Sequence, residues 1–272
     1  MTLHVYDDLE QRSPEWFAAR AGIVTASVVG KLIATGAPDA DTVGCPTCQA
    51  KAGDPCLSKA SKKPTPIKTF HHARTAKAES LPPVIEVADN DTSRGVIAGL
   101  VAERITGDVD QTYVSDDMWR GIEHEPYARD YYSGHYQQAV ECGFIVERND
   151  DWTLGVSPDG LVADEGGVEV KCPRAKTHVR TILADKVPDV HVPQIQAALL
   201  VTGRKWWDFV SFCAGQPLFV KRVYPDPAWH AAIVAACRKF ETTAAEMVAA
   251  YTEKTKNLPA TERIPDLDEL VF

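Results

Sequence analysis

The chain alternates between stretches with a helical spacing of apolar residues and short apolar runs. The helical spacing predicts helices at residues 92–106, 116–134, 192–202 and 227–254. The short runs predict strands at residues 144–148, 152–157, 168–172, 206–213 and 218–224. Because helices separate the strands along the chain, we expect an α/β fold with a central mixed sheet flanked by helices.

The N-terminal region predicts two further helices. Ser13 and Pro14 are residue types that begin helices, at the N-cap and in the first turn, and the segment EWFAAR follows them. The segment TASVVGKLIATG predicts a second helix that ends at Gly36, with Thr25 or Ser27 near its N-cap.

Length, composition and charge narrow the class of protein. A chain of 272 residues suits one large domain, or one domain with a small insertion. No apolar run approaches the ~18 residues of a membrane span, and the first residues lack the features of a signal peptide, so we expect a cytoplasmic protein. The net charge of −9 argues against nonspecific coating of nucleic acid, but not against a nucleic-acid enzyme whose carboxylates bind cations.

Residues 37–80 differ in composition from the rest of the chain. They are rich in Pro, Lys, Cys and His and lack apolar periodicity, so we expect a small inserted module within a larger domain formed by residues 1–36 and 81–272. Three of the seven cysteines fall within twelve residues here. Disulfides are not expected without a secretion signal, so this cluster indicates a metal site. The other cysteines are expected to be buried thiols: Cys142, Cys172, Cys213 and Cys237.

The inserted module contains a ligand set for one structural Zn²⁺. Cys45, Cys48 and Cys56 are followed by His71 and His72, either of which completes a tetrahedral Cys₃His site. The form C-P-x-C … G-x-P-C … H-x-x-R resembles small zinc-binding modules of phage and actinobacterial proteins, and this resemblance favours His71. Since the segment is too polar to form its own core, the metal would supply its stability. The alternative is three incidental thiols in a loop.

The same module is basic, although the whole chain is acidic. Between residues 51 and 77, only Asp54 opposes seven cations. Such an excess indicates a contact with a phosphate backbone, and the alternative is a solvated lysine face. The cations are Lys51, Lys59, Lys62, Lys63, Lys68, Arg74 and Lys77.

The stretch GVSPDGLVADEGGVEVKCP, residues 155–173, places two acids and a lysine around an apolar strand. Residues two apart in a strand share a face, so Glu169 and Lys171 point the same way while their apolar neighbours point into the core. A turn can bring Asp159 beside that face. Two converging carboxylates suit a hard divalent cation such as Mg²⁺, and the lysine can hold an attacking water or a phosphate. The alternative is an exposed edge strand with a solvated Glu-x-Lys pair.

The spacing P-D-(x9)-E-x-K, residues 158–171, resembles the PD-(D/E)xK nuclease superfamily. Further segments, in their order along the chain, resemble the lambda-exonuclease and YqaJ-type viral recombinase family: RSPEWFAARAGIVTAS, RGIEHEPYAR, SPDGL, VEVKCP and VPQIQAALLVTG. These matches run from about residue 11 to 213 and are interrupted by residues 37–80. The resemblance implies a restriction-endonuclease-like core around the mixed sheet.

The family resemblance implies a role for each matching residue of the acidic site. Asp159 and Glu169 would be Mg²⁺ ligands, and Glu125 in GIEHEPYAR would be the helix-borne acid that completes the metal site. Lys171 would orient or activate the attacking water, and Gln194 in PQIQ would help to position it.

Two more residues, Arg20 and Ser27, match positions that bind the 5′-terminal phosphate of DNA in that family. A helix N-terminus with a hydroxyl and a nearby arginine is a natural phosphate site. Structural alternatives remain open: Ser27 is only an N-cap, and Arg20 is a last-turn cation on its helix. Likewise, Glu125 is a surface acid paired with Arg129 four residues later, and Gln194 is a helix-start side chain.

Taken together, the resemblance implies a deoxyribonuclease dependent on Mg²⁺ or Mn²⁺, and specifically a 5′→3′ double-strand exonuclease of phage recombination. Its partners would be double-stranded DNA ends and a single-strand annealing protein, and a homotrimer would fit by resemblance. Two alternatives stay open. One is a structure- or end-specific endonuclease on the same fold. The other is a zinc-dependent DNA-binding scaffold with an inactive nuclease site.

Overall fold

The computed structural model describes residues 2–58, 63–109 and 114–262. Its helices are α1 (Pro14–Arg20), α2 (Ala26–Val29), α3 (His72–Glu79), α4 (Asp91–Thr106), α5 (Asp116–His135), α6 (Ala175–Ala184), α7 (Val192–Thr202) and α8 (Pro227–Thr255), with short 3₁₀ turns at Gly30–Leu32, Ala40–Thr42 and Asp189–His191. Its strands are β1 (Thr2–Tyr6), β2 (Ile33–Gly36), β3 (Val84–Val87), β4 (Phe144–Arg148), β5 (Thr153–Val156), β6 (Gly160–Val162), β7 (Gly166–Lys171), β8 (Trp206–Ser211) and β9 (Phe219–Val223).

The strands form one mixed sheet and two smaller antiparallel sheets. In the mixed sheet the order is β6-β7-β8-β9, with β7 parallel to β8 and the two outer pairs antiparallel. A parallel pair requires a crossover connection, and α6 and α7 provide it. The other sheets have the orders β1-β4-β5 and β2-β3. The α/β fold with a mixed sheet is therefore confirmed, while β4 and β5 lie in a sheet of their own with β1.

Most elements predicted from the periodicity are confirmed. The four helices predicted between residues 92 and 254 correspond to α4, α5, α7 and α8, and the five predicted strands correspond to β4, β5, β7, β8 and β9. Ser13 is the N-cap of α1, because its side chain accepts a 3.2 Å hydrogen bond from the backbone N–H of Trp16. Among the described residues, no helix combines the length and apolar character needed to cross a membrane.

The predicted second N-terminal helix is wrong beyond its first turn. α2 ends at Val29, and after one 3₁₀ turn the chain forms β2 instead of more helix. Ile33 is buried opposite Val87, and β2 pairs antiparallel with β3 along its whole length. This partner strand follows residues 37–80, so the local pattern gives no sign of the pairing that overrides the helical spacing.

The core lies around α7, which packs against α2, α8 and strands of two sheets. Ile195, Ala198, Leu199 and Val201 are all at most 3% exposed. Burial of each large aliphatic side chain stabilises the fold by about 1.5–3 kcal/mol. Gly203 ends the helix at φ 63°, a left-handed conformation that glycine adopts without strain. Because α7 is anchored on nearly all sides, its first turn has a fixed place beside β7.

Candidate active site

The alternation of β7 separates its polar and apolar side chains as the sequence predicts. Val168 and Val170 pack in a hydrophobic cluster beneath the sheet. On the opposite face, Glu169 is 1% exposed and its Oε1 accepts a hydrogen bond from Nζ of Lys171. The Glu-x-Lys pair is therefore not a solvated edge pair, because β7 lies between β6 and β8 and its acid is buried.

Asp159 reaches the same face from the turn between β5 and β6. Its Oδ2 accepts a 2.6 Å hydrogen bond from the backbone N–H of Val170. Burial, together with the charge of Glu169, raises the pKa of Asp159 well above its ordinary value. Burial also raises the pKa of Glu169, despite the opposing charge of Lys171. The charge of Glu169 thus disfavours the ionised form of Asp159 on the same face.

The lysine of this face keeps its proton. Burial alone would lower the pKa of Lys171, but the charges of Glu169 and Asp159 outweigh burial and raise it above the ordinary lysine value. Lys171 is therefore a cation at physiological pH, and it carries a fixed positive charge next to the buried carboxyl group of Glu169 and the partly buried one of Asp159.

One cavity of about 470 Å³ collects the residues of this face. Its acidic and polar lining includes the five residues that the family resemblance selects, together with two arginines, an aspartate and a histidine from other segments. These lining residues are Glu125, Asp159, Glu169, Lys171, Gln194, Arg12, Arg120, Asp117 and His191. Gln194 enters from the first turn of α7, and Glu125 enters from α5.

Glu125 is held by two arginines at the edge of the cavity. Its Oε2 accepts a 3.1 Å hydrogen bond from Arg12, and its Oε1 accepts a 3.4 Å hydrogen bond from Arg129. The pairing with Arg129 four residues later is present, as the structural alternative expects, but the side chain is only 16% exposed and is not a free surface acid. Arg129 also donates to the carbonyl of Asp159, so the pair connects α5 to the acidic turn.

The donor set fits a divalent cation with oxygen ligands. Oε2 of Glu169 is buried and finds no hydrogen-bond partner within the described residues. Such an orphaned carboxylate oxygen is costly without a cation or water. Glu125, Asp159 and Glu169 share the cavity, although in residues 2–58, 63–109 and 114–262 only the cysteine cluster has three or more ligand atoms within 4.8 Å of one another.

Sequence reasoning missed several residues of this cavity. His191 immediately precedes the segment VPQIQ and stacks on Phe209 with ring centroids 5.5 Å apart. Burial, with help from the charge of Lys171, lowers the pKa of His191 to about 4, so the ring is neutral at physiological pH. Arg12 lies within the N-terminal motif, but its contact with Glu125 spans 113 positions and has no local signal.

Arg20 and Ser27 form a separate polar cluster. The guanidinium of Arg20 lies 3.6 Å from the ring centroid of Trp16 and donates to Ser27 (3.5 Å), Thr25 (3.5 Å) and Ser157 (3.3 Å). Burial lowers the pKa of Arg20 to about 10, against the opposing charge of Glu103. Ser27 is exposed in the first turn of α2, whose N-cap position is Thr25, so the interpretation of Ser27 as the N-cap is wrong.

The turn after Arg20 is fixed by α4. Gly22 has φ 64°, and a Cβ there would lie 2.2 Å from the side chain of Arg104. Its N–H donates to Glu103 (2.8 Å), and its carbonyl accepts from Arg104 (2.7 Å). The cluster is also linked to the cavity, because Ser157 is two residues before Asp159. The two groups of residues are therefore joined through one short turn.

The cysteine module brings together the four ligands predicted for zinc. The ligand atoms of Cys45, Cys48, Cys56 and His71 lie within 4.8 Å of one another, and Nδ1 of His71 is 3.4 Å from Sγ of Cys45. A hydrogen bond from the backbone N–H of Leu57 lowers the pKa of Cys48 to about 6, which favours the thiolate that binds metal. These contacts have the type and geometry of a Cys₃His zinc site, and they argue against incidental thiols.

Two expectations need correction, one about the cations of this module and one about the cysteines outside it. Arg74 is fully buried and donates to the carbonyls of Ala40, Asp41, Lys51 and Asp54, so it holds the module together and is not available to a phosphate backbone. Of the other cations, Lys51, Lys63, Lys68 and Lys77 are exposed, while Lys59 and Lys62 lie outside the described residues. Cys142, Cys172 and Cys237 are buried free thiols, but Cys213 is only partly buried.

Two family models match the chain. Residues 84–205 match the YqaJ-like viral recombinase domain. Residues 10–90 match a second family, described as "Putative DNA-binding phage zinc finger domain", and this range contains the Cys₃His cluster. No curated protein matches the chain.

Solved structures of exonucleases resemble this chain. The alkaline exonuclease LHK-Exo from Laribacter hongkongensis is 27% identical, with a TM-score of 0.64, and the match covers 91% of this chain and 100% of that chain. LHK-Exo in complex with dAMP is 28% identical, with a TM-score of 0.63 and the same coverage. A phage-related exonuclease from Haemophilus somnus 129PT is 12% identical, with a TM-score of 0.46, over 84% of this chain and 96% of that chain.

Proposed function

We propose that this protein is a deoxyribonuclease that depends on Mg²⁺ or Mn²⁺ and hydrolyses phosphodiester bonds in the cavity around β7. The observation that carries the proposal is the buried Glu169, with the partly buried Asp159, beside the protonated Lys171. One oxygen of Glu169 has no hydrogen-bond partner in the described part of the chain. A divalent cation would satisfy this oxygen and reduce the repulsion between the acids.

Each residue of the cavity has a defined task in this proposal. Glu125, Asp159 and Glu169 would hold the cation, which when bound supplies Lewis-acid polarisation of the phosphate and a nucleophile at neutral pH. Lys171 places a positive charge where negative charge develops on the phosphate and the attacking water. The amide of Gln194, in the first turn of the anchored helix α7, orients that water by hydrogen bonding.

We further propose that the enzyme degrades duplex DNA from its ends in the 5′→3′ direction. The similarity to an alkaline exonuclease over most of both chains supports action at ends. Recognition of a 5′-phosphate is supported by the cluster of Arg20, Thr25, Ser27 and Ser157. Its partly buried guanidinium, together with three hydroxyl groups, supplies the hydrogen-bond donors that a phosphate dianion needs. Because Ser157 lies two residues before Asp159, end recognition at this cluster would occur close to the proposed cutting site.

The remaining proposals rest on the family resemblance and on the second family model. Residues 1–36 and 81–272 would form the nuclease domain, and residues 37–80 would form the zinc-binding module that contacts duplex DNA through its exposed lysines. If the protein acts in phage recombination, it would work beside a single-strand annealing protein in the host cytoplasm. By the same resemblance it would assemble as a homotrimer.

A digestion time course on linear, nicked and circular duplexes tests the proposed activity. We expect Mg²⁺-dependent loss of linear duplex with progressive release of nucleotides, and no loss of covalently closed circles. Cleavage of closed circles would instead indicate the endonuclease alternative. Binding of all three substrates without any cleavage would indicate a DNA-binding scaffold.

A further inference from the structure

Arg12 links the N-terminal segment to the acidic helix of the cavity. Its Nη2 donates a 3.1 Å hydrogen bond to Oε2 of Glu125, and both residues line the cavity that contains Asp159 and Glu169. The side chain of Arg12 is 43% exposed, whereas that of Glu125 is 16% exposed. The guanidinium therefore lies on the solvent side of the acid that it binds.

The backbone of Arg12 is in a conformation that arginine rarely adopts. Its φ is 73°, in the left-handed region that favours glycine. The chain is fixed on both sides of it: the side chain of Gln11 donates to the carbonyls of Cys142 and Pro158, each at 2.9 Å, and Ser13 caps α1. A non-glycine residue held in this region is a reason to ask what its side chain does there, and for Arg12 the contact with Glu125 suggests an answer.

Arg12 also differs from the other cations that line the cavity. Nζ of Lys171 is paired with the buried Glu169, and Arg120 donates to Asp117 (2.6 Å) and to the carbonyl of Cys172 (3.1 Å). Their side chains are 30% and 24% exposed, against 43% for Arg12. Among the described lining residues, Arg12 is thus the cation most accessible to a phosphate that approaches from solvent.

We propose that Arg12 is a phosphate-binding residue that exchanges partners, pairing with Glu125 in the free protein and with a DNA phosphate in the complex. The proposal rests on the proposed function, because it takes Glu125 as a cation ligand. A divalent cation on Glu125 repels the guanidinium, and the planar guanidinium fork matches the phosphate that DNA brings to the cavity. Arg12 therefore competes with the cation when DNA is absent and holds the DNA when the cation is present.

The test uses the full-length zinc-loaded protein and three variants. Arg12→Gly removes the guanidinium and is safe for folding, since glycine prefers the local φ. Arg12→Lys keeps the charge but loses the fork. Arg94→Ala is the matched control, because Arg94 is an exposed arginine paired with Asp89 and Asp91 and does not line the cavity.

Two binding measurements do not depend on cleavage. The first is calorimetric titration of DNA-free protein with Ca²⁺, an oxygen-preferring cation that does not compete for the cysteine site. Arg12→Gly should bind Ca²⁺ severalfold more tightly, and Arg94→Ala should match the wild type. The second is the Kd for 5′-phosphorylated linear duplex in Ca²⁺ at several salt concentrations. The slope of log affinity against log salt should fall in magnitude by about 1 for Arg12→Gly and stay unchanged for Arg12→Lys and Arg94→Ala.

Unchanged or weaker Ca²⁺ binding by Arg12→Gly overturns the exchange, because Arg12 would then only position Glu125. Tighter Ca²⁺ binding with an unchanged salt slope also overturns the proposal, since no phosphate contact would be lost. The proposed nuclease activity fails separately: wild-type protein that binds Ca²⁺ and duplex as expected but cuts nothing in Mg²⁺ contradicts that function without altering either binding result.

Discussion

The backbone N–H of Val170 donates a 2.6 Å hydrogen bond to Oδ2 of Asp159. This bond joins the turn after β5 to the strand that carries Glu169, and it holds the partly buried Asp159 near the buried Glu169, although burial and the charge of Glu169 raise the pKa of Asp159. The arrangement therefore has an electrostatic cost in the absence of a cation. Because of that cost, cation binding at the site should change the stability of the folded protein, so the site can be tested by unfolding as well as by activity.

Stability of the cation-free protein should fall as pH rises above about 4, the ordinary pKa of Asp and Glu. Because the folded-state pKa values of Asp159 and Glu169 are raised, the folded state binds more protons than the unfolded state until pH passes those raised values. We expect Mg²⁺ to raise Tm more at pH 8 than at pH 5 in thermal unfolding. Asp159→Asn, whose amide oxygen can still accept from Val170, should raise the cation-free Tm at pH 8 and remove most of the Mg²⁺ effect. An equal Mg²⁺ effect at both pH values contradicts a cation site at these acids.

Arg20→Ala should weaken the preference for 5′-phosphorylated over 5′-hydroxyl duplex ends. Loss of a charge-assisted hydrogen bond costs about 1.5–3 kcal/mol, so the ratio of kcat/KM between the two ends should fall about tenfold or more. Arg238→Ala is the control, since Arg238 is an exposed arginine that pairs with Asp151. Equal rates of the wild type on both ends would refute the assignment of Arg20 and Ser27 to the phosphate.

Purified protein should contain about one zinc per chain, because a closed Cys₃His site holds one ion. His71→Ala should lose the zinc, whereas His72→Ala should keep it, since only His71 lies in the ligand cluster.

The double variant Cys45→Ser with Cys48→Ser should lose the zinc, and both its DNA affinity and the salt dependence of that affinity should fall. Glu169→Ala should keep both the zinc and the fold. Elemental analysis and salt-dependent binding check these outcomes. Zinc-free protein from non-chelating purification contradicts the site, and an unchanged salt slope after zinc loss contradicts the DNA contact.

Arg74→Ala should destabilise the zinc-binding module. The buried guanidinium donates to four backbone carbonyls, and each buried acceptor left without a partner costs about 1–3 kcal/mol. Zinc release to a chelator should therefore be at least tenfold faster than in the wild type. Lys77→Ala, an exposed position on the same helix, should release zinc at the wild-type rate. Zinc release from Arg74→Ala at the wild-type rate would show that the contacts of Arg74 with the backbone carbonyls do not hold the metal site.

The local spacing of apolar residues predicts two kinds of element correctly: those that pack against partners nearby in the sequence, and those with a long amphipathic face. α5 and α8 are of this kind, and so is β7, whose alternation separates Glu169 from Val168 and Val170. The pattern fails where a distant partner decides the structure. The segment Ile33–Gly36 has helical spacing but becomes β2, because β3 on the far side of residues 37–80 offers a ladder of hydrogen bonds.

The candidate site shows the same division. Asp159, Glu169 and Lys171 could be selected from spacing in one short stretch, and Glu125 and Gln194 from the family resemblance. The contact of Arg12 with Glu125 could not, because two residues 113 positions apart meet only after the N-terminal segment packs against α5. Composition also misled for Arg74, since a count of charges does not reveal that a guanidinium is buried on backbone carbonyls.

The most direct test of the nuclease site compares Mg²⁺-dependent nucleotide release from linear duplex by the wild type, Lys171→Ala and Lys205→Ala. Lys205 is the matched control, because it also pairs with a glutamate but is exposed and lies immediately before β8. Lys171→Ala should lose about 10²–10³-fold or more in rate, with unchanged circular dichroism and zinc content, because the charge that stabilises the transition state is removed. Lys205→Ala should retain the wild-type rate. Full activity in Lys171→Ala would contradict the assignment of the active site to β7.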